Sequence, residues 1–373
     1  MIKNKLLILL GTRPEIIKLS SLLKKLQKDS NNIVVNSNQN FDANLNKVFF
    51  NDLGIKKPNY NFTINKKSSS SQKISNFILS MEKILLKEKP DAVIYLGDTN
   101  TCYSLIPVKK FKIPIFHFEA GNRCFDERVP EEVNRRFTDH ISDINLVYSE
   151  HARRNLISEG IDKYRIIKTG SPMLEVINEN INKIEKSNIL NKLNLKKKKF
   201  ILISFHREEN LDNFEIFNSF EKLIAKLKSI YKVKIIISTH PRLKLKLSKK
   251  INKDKDIIFH QPFNFSDYIK LQINSLINLS DSGTLMEETA ILKTKSILLR
   301  EKHERQEGID EGILITGKIN SRNILERIDW VIKNEIKFTI PRSYNRQNFS
   351  EIAIKAIYSY LDYVDSYIWY KEK

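Results

Sequence analysis

Short apolar runs alternate with amphipathic stretches along most of the chain. The run at residues 5–10 leads through Gly11 into a stretch whose isoleucines and leucines recur at helical spacing. The same order of apolar run, polar turn and amphipathic stretch returns at residues 92–105 and 277–292. Strands that alternate with helices in this way are typical of a parallel sheet covered by helices on both faces. The pattern therefore predicts an α/β fold.

The alternation divides the chain into two halves of similar size. It runs from residue 1 to about 171, where Pro172 begins a predicted connecting helix that leads into a lysine-rich linker, and it starts again with the apolar run FILISF. A long amphipathic helix is predicted at the end of the sequence. We therefore predict one domain at residues 1–171 and a second at 172–348, with the helix at 349–373 packing back on the first.

Composition narrows the class of protein. The 373 residues are 41% hydrophobic and carry a formal charge of +20, but the basic residues are dispersed and only residues 196–199 form a dense run. No zinc-finger or RNP-like pattern accompanies them, so nucleic acid is not an expected partner. No apolar run approaches the roughly twenty residues that span a membrane. Two cysteines, Cys102 and Cys124, predict a reducing cytoplasm and no metal site.

Ionisable groups crowd the stretch HFEAGNRCFDERVPEEVNRR at residues 117–136. It holds five carboxylates and four arginines directly after a predicted strand. Ligands of open α/β sheets bind at the carboxyl ends of the strands, so Glu119, Glu131 and Arg135 are placed where a substrate would lie. The alternative is a salt-bridged surface loop, in which Glu131 and Glu132 only favour the N-terminus of the next helix.

Two other strand ends in the first half carry candidate groups. Asp98 follows Gly97, where it can cap the next helix or act as a general base. Arg13 lies in the turn after the first strand and Lys18 lies one helical turn later. Both can meet phosphate oxygens at the helix N-terminus, or both are ordinary surface cations.

The second half offers groups suited to a nucleotide. The strand FILISF ends at His206. The turn formed by Ser282, Gly283 and Thr284 presents backbone amides to a diphosphate, although serine-glycine turns are common. Glu288 follows in the next helix and either accepts ribose hydroxyls or stabilises the helix N-terminus.

Seven motifs occur together in one order: GTRPEIIKL, GDTNT, HFEAG with PEEVNRR, TGSPMLEV, SFHREEN, SDSGTLMEET and HERQEG. In order and spacing they resemble the non-hydrolysing UDP-N-acetylglucosamine 2-epimerases over nearly the whole chain. The forms EAGNRCFDERVPEE and QPFNFSDYIKLQ resemble most the branch that converts UDP-2-acetamido-2,6-dideoxy-L-talose to UDP-N-acetyl-L-fucosamine for capsule or O-antigen. The alternative is the branch that interconverts UDP-N-acetylglucosamine and UDP-N-acetylmannosamine.

The resemblance implies two Rossmann-like domains in a GT-B arrangement, with the substrate in the cleft between them and a homodimer as the assembly. It implies neither NAD nor a metal. The implied reaction inverts C2 of the sugar: UDP is eliminated across C1 and C2, a glycal forms, and UDP is added back after a proton reaches the opposite face. Such a reaction needs acid and base groups at C2 and support for the departing diphosphate.

Residue roles follow from the same resemblance. The catalytic positions it implies are Asp98, Glu119, Glu131 and His206. The substrate and UDP positions are Arg13, Lys18, Arg135, His206, Ser282, Gly283, Thr284, Glu288 and Arg305. The chain departs from the family twice: residues 304–308 read ERQEG where ERPEA is common, and residues 282–284 read SGT where SGG is common.

Three rival functions fit parts of the sequence. A GT-B glycosyltransferase shares the fold but needs fewer carboxylates from the first domain. A hydrolysing epimerase is disfavoured by the HREEN and EAGNRC motifs. A non-catalytic nucleic-acid-binding protein is disfavoured because the lysines are dispersed.

Overall fold

The computed structural model describes residues 4–28, 31–39, 43–65, 68–205, 214–238, 251, 254–319 and 322–371. The chain divides into two compact units, one formed by residues 1–179 with 342–373 and the other by residues 180–341. Each unit is built on its own parallel sheet, which confirms the predicted α/β class.

The sheet of the first unit has seven strands in the order β3-β2-β1-β4-β5-β6-β7, and every neighbouring pair is parallel. The strands are β1 (Leu6–Leu10), β2 (Ile33–Asn36), β3 (Tyr60–Asn61), β4 (Ala92–Leu96), β5 (Ile115–Ala120), β6 (Ile144–Val147) and β7 (Ile166–Lys168). All five residues of β1 are fully buried, as expected for a strand covered on both faces.

The second unit repeats this arrangement with six parallel strands in the order β10-β9-β8-β11-β12-β13. They are β8 (Phe200–Ser204), β9 (Lys234–Ser238), β10 (Ile257–His260), β11 (Ile277–Ser280), β12 (Ser296–Leu298) and β13 (Ile315–Thr316). The core of this unit includes isoleucines of β9 and apolar side chains of the helix Phe214–Tyr231, which precedes β9.

Helices connect the strands of both sheets. Those of the first unit are α1 (Arg13–Lys18), α2 (Ser20–Leu26), α3 (Ala43–Leu53), α4 (Ser70–Glu88), α5 (Leu105–Lys110), α6 (Pro130–Ile141), α7 (Glu150–Ser158) and α8 (Met173–Glu179), with 3-10 turns at Asn100–Ser104 and Lys163–Arg165. Those of the second unit are α9 (Ile181–Lys186), α10 (Ile189–Lys192), α11 (Phe214–Tyr231), α12 (Phe265–Asn274), α13 (Leu285–Leu292), α14 (Gln306–Asp310) and α15 (Ile324–Lys333). None of the helices among the described residues has the length and apolar composition that crossing a membrane requires.

The final helix, α16 (Phe349–Tyr363), belongs to the first unit and continues into a π-helical turn at Val364–Ile368. Its first turn is fixed by Glu175 of α8, which accepts hydrogen bonds from the backbone N–H of Ser350 at 2.7 Å and from the Ser350 hydroxyl. Its Phe349 ring meets Phe118 of β5 edge to face, 5.6 Å between centroids. The helix thus supports the strand that carries Glu119.

The unit boundaries differ from the predicted domain boundaries of 171/172 and 348/349. The first unit extends to residue 179 and resumes at residue 342. The reason is packing: α8 contacts α1 and α2, and the chain just before α16 lies against Gly170, where the N–H of Ser171 donates to the carbonyl of Ser343 at 2.7 Å. Pro172 and the local composition predicted a connecting helix, but they do not indicate which of the two hydrophobic cores that helix packs against.

Burial of α16 predicts a large stability effect at Ile357, which is fully buried in the first unit. We expect Ile357→Ala to lower the free energy of unfolding by about 2–5 kcal/mol, because it removes buried methylene groups and leaves a cavity. Tyr367→Ala is the control, since Tyr367 is 68% exposed, and it should change stability by less than about 0.5 kcal/mol. Equal unfolding curves for the two variants in urea would contradict the packing of α16.

Candidate active site

The strand order of the first unit reverses between β1 and β4, and the turns that follow these two strands touch. Such a reversal opens a crevice at the carboxyl ends of the strands, where ligands of open α/β sheets bind. Gly11 follows β1, and a Cβ atom on it would lie 2.3 Å from Oγ1 of Thr101. Gly97 follows β4 with a φ of +95°. Gly11 is therefore required by this close approach, whereas Gly97 is required by its positive φ, because a Cβ atom on it would make only ordinary contacts with Glu15.

Glu15 joins the two turns. Its carboxylate accepts hydrogen bonds from the backbone N–H groups of Gly11 and Thr12 and from the Thr12 hydroxyl at 3.1 Å, which completes a capping box on α1. The hydroxyl of Thr99, beyond β4, donates to it at 3.1 Å. Burial raises the pKa of Glu15 to about 7, although these hydrogen bonds act in the opposite direction.

Asp98 is held from α6. Nη2 and Nε of Arg135 lie 2.6 and 3.1 Å from the same carboxylate oxygen, Oδ2. The side-chain amide of Asn134 donates to the backbone carbonyl of Asp98 at 3.0 Å. Of the two sequence interpretations, this geometry disfavours helix capping, because the Asp98 carboxylate binds the Arg135 guanidinium and Thr99 occupies the N-cap position of the next helical turn.

Glu119 occupies an irregular position in β5. The register with β6 shifts between Phe118 and Ala120, and Glu119 itself has a φ of +65°, which is uncommon for a residue with a side chain. Nζ of Lys18 lies 2.6 and 2.7 Å from its two carboxylate oxygens. Lys18, predicted to meet phosphate, thus directs its ammonium to a carboxylate 101 residues away in sequence.

Glu132, rather than Glu131, anchors the crowded loop. Its carboxylate accepts the backbone N–H groups of Cys124 and Phe125 at 3.1 and 3.2 Å and binds Nη1 of Arg135 at 2.7 Å. Burial alone would raise the pKa of Glu132, but the Cys124 hydrogen bonds and the Arg135 charge outweigh it and hold the pKa below its usual value. The salt-bridge interpretation therefore applies to Glu132. Glu131 is half-buried in the first turn of α6.

Arg13 begins α1, where the helix dipole favours anions. Its guanidinium lies 5.6 Å from the centroid of the Phe49 ring, so a cation–π contact orients it.

The second unit presents its candidate groups at the N-terminus of α13. Residues 282–284 form the turn before the helix, where the hydroxyls of Ser282 and Thr284 lie 3.0 Å apart. Glu288 is buried, and the side-chain amide of Gln272 donates to its Oε2 at 2.6 Å. Arg305 is also buried, with Nε 3.7 Å from Oε1 of Glu287. His206 lies outside the described residues.

Five functional candidates were missed by sequence reasoning: Glu15, Asn134, Glu132, His117 and Gln272. For Glu15 a signal was present, because TRPE has the threonine-to-glutamate spacing of a capping box. For Glu132 the spacing to Arg135 is that of neighbours on a helix face. The other three act through partners on different elements, and their contacts have no local sequence signature.

Comparisons with known proteins agree on one family. Residues 24–358 match the family model described as UDP-N-acetylglucosamine 2-epimerase. A UDP-N-acetylglucosamine 2-epimerase of Methanocaldococcus jannaschii is 35% identical over 347 residues, which cover 90% of this chain and 94% of the relative. The structure of UDP-N-acetylglucosamine 2-epimerase from Rickettsia bellii is similar with a TM-score of 0.91 and 41% identity, covering 99% of this chain and 100% of that one. The crystal structure of the Methanocaldococcus jannaschii enzyme in complex with UDP-GlcNAc and UDP gives a TM-score of 0.88 at 33% identity, covering 95% and 99%.

The raised pKa of Glu15 predicts a pH-dependent stability. A carboxyl whose pKa is about 7 in the fold and 4.5 when unfolded stabilises the fold below pH 4.5, and this contribution is lost as the pH rises through about 7. Glu15→Gln removes the titration while keeping the shape. We therefore expect the unfolding free energy of the native protein to fall, relative to that of the variant, by up to about 3 kcal/mol between pH 5 and 8.

Urea unfolding of both proteins at pH 5, 6, 7 and 8 measures this difference. Glu127→Gln is the matched control, because the Glu127 side chain is 79% exposed, and it should leave the pH slope unchanged. A stability difference between Glu15→Gln and the native protein that stays constant over this range would show that Glu15 does not titrate there.

Proposed function

Because the chain belongs to the UDP-N-acetylglucosamine 2-epimerase family, and is thus an isomerase, we propose that it inverts C2 of a UDP-2-acetamido sugar by eliminating UDP and adding it back. The observation that supports this mechanism is a pair of oriented carboxylates at the ends of adjacent strands. Asp98 follows β4 and is held by Arg135, and Glu119 lies in β5 and is held by Lys18.

The proposed reaction balances without an oxidant or a cofactor. A base removes the C2 proton, the C1–O bond breaks, and its electrons leave with the UDP oxygen as the C1–C2 double bond forms. An acid then delivers a proton to the opposite face of C2, and a UDP oxygen attacks C1. Because a C2 proton beside an acetamido group is weakly acidic, C1–O cleavage runs ahead of proton removal, and groups that stabilise the departing diphosphate carry much of the catalysis.

We assign the acid and base work to Asp98, Glu119 and Glu131. A group that exchanges a proton with C2 must be held at a fixed place, because proton transfer needs hydrogen-bond distance. Asp98 meets this requirement through Arg135, and Glu119 through both of its contacts with Lys18. Glu131 is assigned from the family resemblance and its place in the first turn of α6.

We propose that the UDP binds to cationic side chains, to helix N-termini and to a carboxylate that accepts hydrogen bonds from the ribose hydroxyls. Arg13 at the N-terminus of α1 and the amides of residues 282–284 before α13 suit phosphate oxygens. Glu288, oriented by Gln272, suits the ribose hydroxyls. The family resemblance adds three further UDP-binding residues, Arg135, His206 and Arg305. It also supports a homodimer as the assembly.

Two sugars are the candidate substrates. The motifs EAGNRCFDERVPEE and QPFNFSDYIKLQ favour UDP-2-acetamido-2,6-dideoxy-L-talose, which would give UDP-N-acetyl-L-fucosamine for capsule or O-antigen. The names of the similar proteins, and the UDP-GlcNAc in one of their structures, favour UDP-N-acetylglucosamine with UDP-N-acetylmannosamine as the product. Family membership disfavours the glycosyltransferase alternative.

Proton NMR in D2O tests the reaction and the substrate together. The purified protein is incubated separately with the two UDP-sugars, and elimination followed by re-addition should place deuterium at C2 of its substrate. Exchange with the L-talose compound alone identifies the first substrate, and exchange with UDP-N-acetylglucosamine alone identifies the second. The absence of exchange with both would contradict the proposed function.

Replacing the carboxylates tests their role in turnover. We expect Asp98→Asn, Glu119→Gln and Glu131→Gln each to lower kcat by about 10²–10⁴-fold, because each removes a group that takes or gives a proton. Asp98→Asn and Glu119→Gln also leave a buried cation without its charged partner, so each kcat is compared at a temperature where thermal unfolding shows the variant to be folded. Glu127→Gln, in the same loop but with its side chain 79% exposed, should keep the native rate. Near-native kcat in all three site variants would refute the assignment.

A further inference from the structure

His117 lies in β5, two residues before Glu119, and both nitrogens of its buried ring contact other elements. Nε2 is 3.0 Å from the backbone carbonyl oxygen of Gly97, at the end of β4. Nδ1 is 2.9 Å from Oδ1 of Asp139 in α6. The ring also stacks on Tyr95 of β4, 5.9 Å between centroids. The histidine therefore ties three elements together at the site.

The contact at Nε2 fixes the backbone next to Asp98. A carbonyl oxygen only accepts, so Nε2 carries the proton that it donates to Gly97. The N–H of Gly97 donates in turn to the carbonyl of Phe118 at 3.3 Å. Both polar groups of Gly97 are thus bound by β5, although its φ of +95° and lack of a side chain would otherwise leave it free to turn.

The peptide groups on both sides of Asp98 are consequently anchored. The one before it is held by His117, and the carbonyl after it accepts the hydrogen bond from Asn134 at 3.0 Å. The guanidinium of Arg135 then fixes the position of the Asp98 carboxylate.

The contact at Nδ1 reaches the turn after Glu119. Asp139 accepts the backbone N–H of Gly121 at 3.2 Å with each carboxylate oxygen, and Nη1 of Arg123 lies 2.7 Å away. Burial would raise the pKa of Asp139, but the contacts with His117 and Arg123 outweigh it and hold the pKa below its usual value.

We propose that His117, whose ring faces Asp139, is a positioning device that fixes the turn before Asp98 to β5, the strand that carries Glu119. The two carboxylates belong to neighbouring strands, and β-sheet pairing alone does not set the direction of residues beyond the last ladder hydrogen bond. The buried His117 ring, which belongs to β5 and binds the carbonyl of Gly97 through Nε2, supplies this constraint. The expected effect of the device on catalysis rests on the proposed function, whereas its effect on the backbone does not.

Two substitutions separate the two contacts of the ring. In His117→Gln the amide nitrogen falls near the place of Nε2, so the hydrogen bond to Gly97 is kept. In His117→Asn the amide nitrogen falls near the place of Nδ1, so the contact with Asp139 is kept and the hydrogen bond to Gly97 is lost. Because displacement of a catalytic group by about 1 Å can cost 10²-fold in rate, we expect His117→Asn to lower kcat by about 10–100-fold with little change in KM, and His117→Gln to stay within about threefold of native.

The effect should act through Asp98. In the Asp98→Asn background, His117→Asn should therefore cause no further loss of C2 deuterium exchange, whereas a general loss of folding would add to it. A full additional loss in the double variant, or equal kcat in the Gln and Asn variants, would overturn the proposal.

Hydrogen–deuterium exchange of backbone amides tests the device independently of turnover. His117→Asn should speed exchange in peptides covering residues 97–101, His117→Gln should not, and peptides covering the second unit should be unchanged in both. Unchanged exchange at residues 97–101 in His117→Asn would refute the proposal even if the native enzyme acts on another substrate. If the native protein exchanges no C2 proton of either UDP-sugar while the amide pattern is as expected, the proposed function fails and the positioning device stands.

Discussion

The arrangement of the first unit's carboxylates depends on one buried guanidinium, that of Arg135. It lies between Asp98 at 2.6 Å and Glu132 at 2.7 Å and is almost wholly removed from solvent. Through Glu132 it reaches the backbone N–H groups of Cys124 and Phe125, and through Asp98 it reaches the end of β4. Breaking a buried ion pair by removing one partner costs about 3–5 kcal/mol, because the other charge is left uncompensated. Strand end, loop and helix are therefore constrained to one geometry.

Backbone strain appears where this geometry meets Glu119. A non-glycine residue with a positive φ next to a register shift costs of the order of 1–3 kcal/mol, and it persists only where neighbours determine it. Here the neighbours are Lys18, which binds both carboxylate oxygens, and Phe118, whose carbonyl is held by Gly97 and whose ring packs on α16. The bulge turns the Glu119 side chain out of the regular alternation of β5 and toward α1, which a straight strand would not do.

The sequence predicted the elements well because each has a local cause. Continuous apolar runs marked the buried parallel strands, and glycine turns marked the strand ends that carry Asp98 and Glu119. What it could not predict are pairings between distant residues. Lys18 was expected at a phosphate because helix N-termini attract anions, yet its partner lies 101 residues away. Likewise Glu131 and Glu132 are equivalent in a sequence, and only the direction of α6 decides which of them turns toward Arg135.

The two departures from the family pattern in the second unit are accommodated by local contacts. Gln306 replaces the common proline at the first position of α14, where proline favours a helix through its fixed φ. Its side-chain amide instead donates to Asp310 one turn later at 2.9 Å, which stabilises the same short helix. At residue 308, where alanine is common, a Cβ atom would lie 2.3 Å from Cγ of Met286.

Glycine at 308 and methionine at 286 therefore form a matched pair, since the methionine occupies the space that an alanine methyl group would need. The same reasoning applies to the serine-glycine-threonine turn. A Cβ atom on Gly283 would lie 2.6 Å from Oε1 of Glu304, while the Thr284 hydroxyl is turned to Ser282 at 3.0 Å. The glycine that the close approach requires is retained, and the threonine is tolerated because its hydroxyl has a partner within the turn. The turn at residues 282–284, where we propose that a diphosphate binds, thus accommodates its departure from the family pattern.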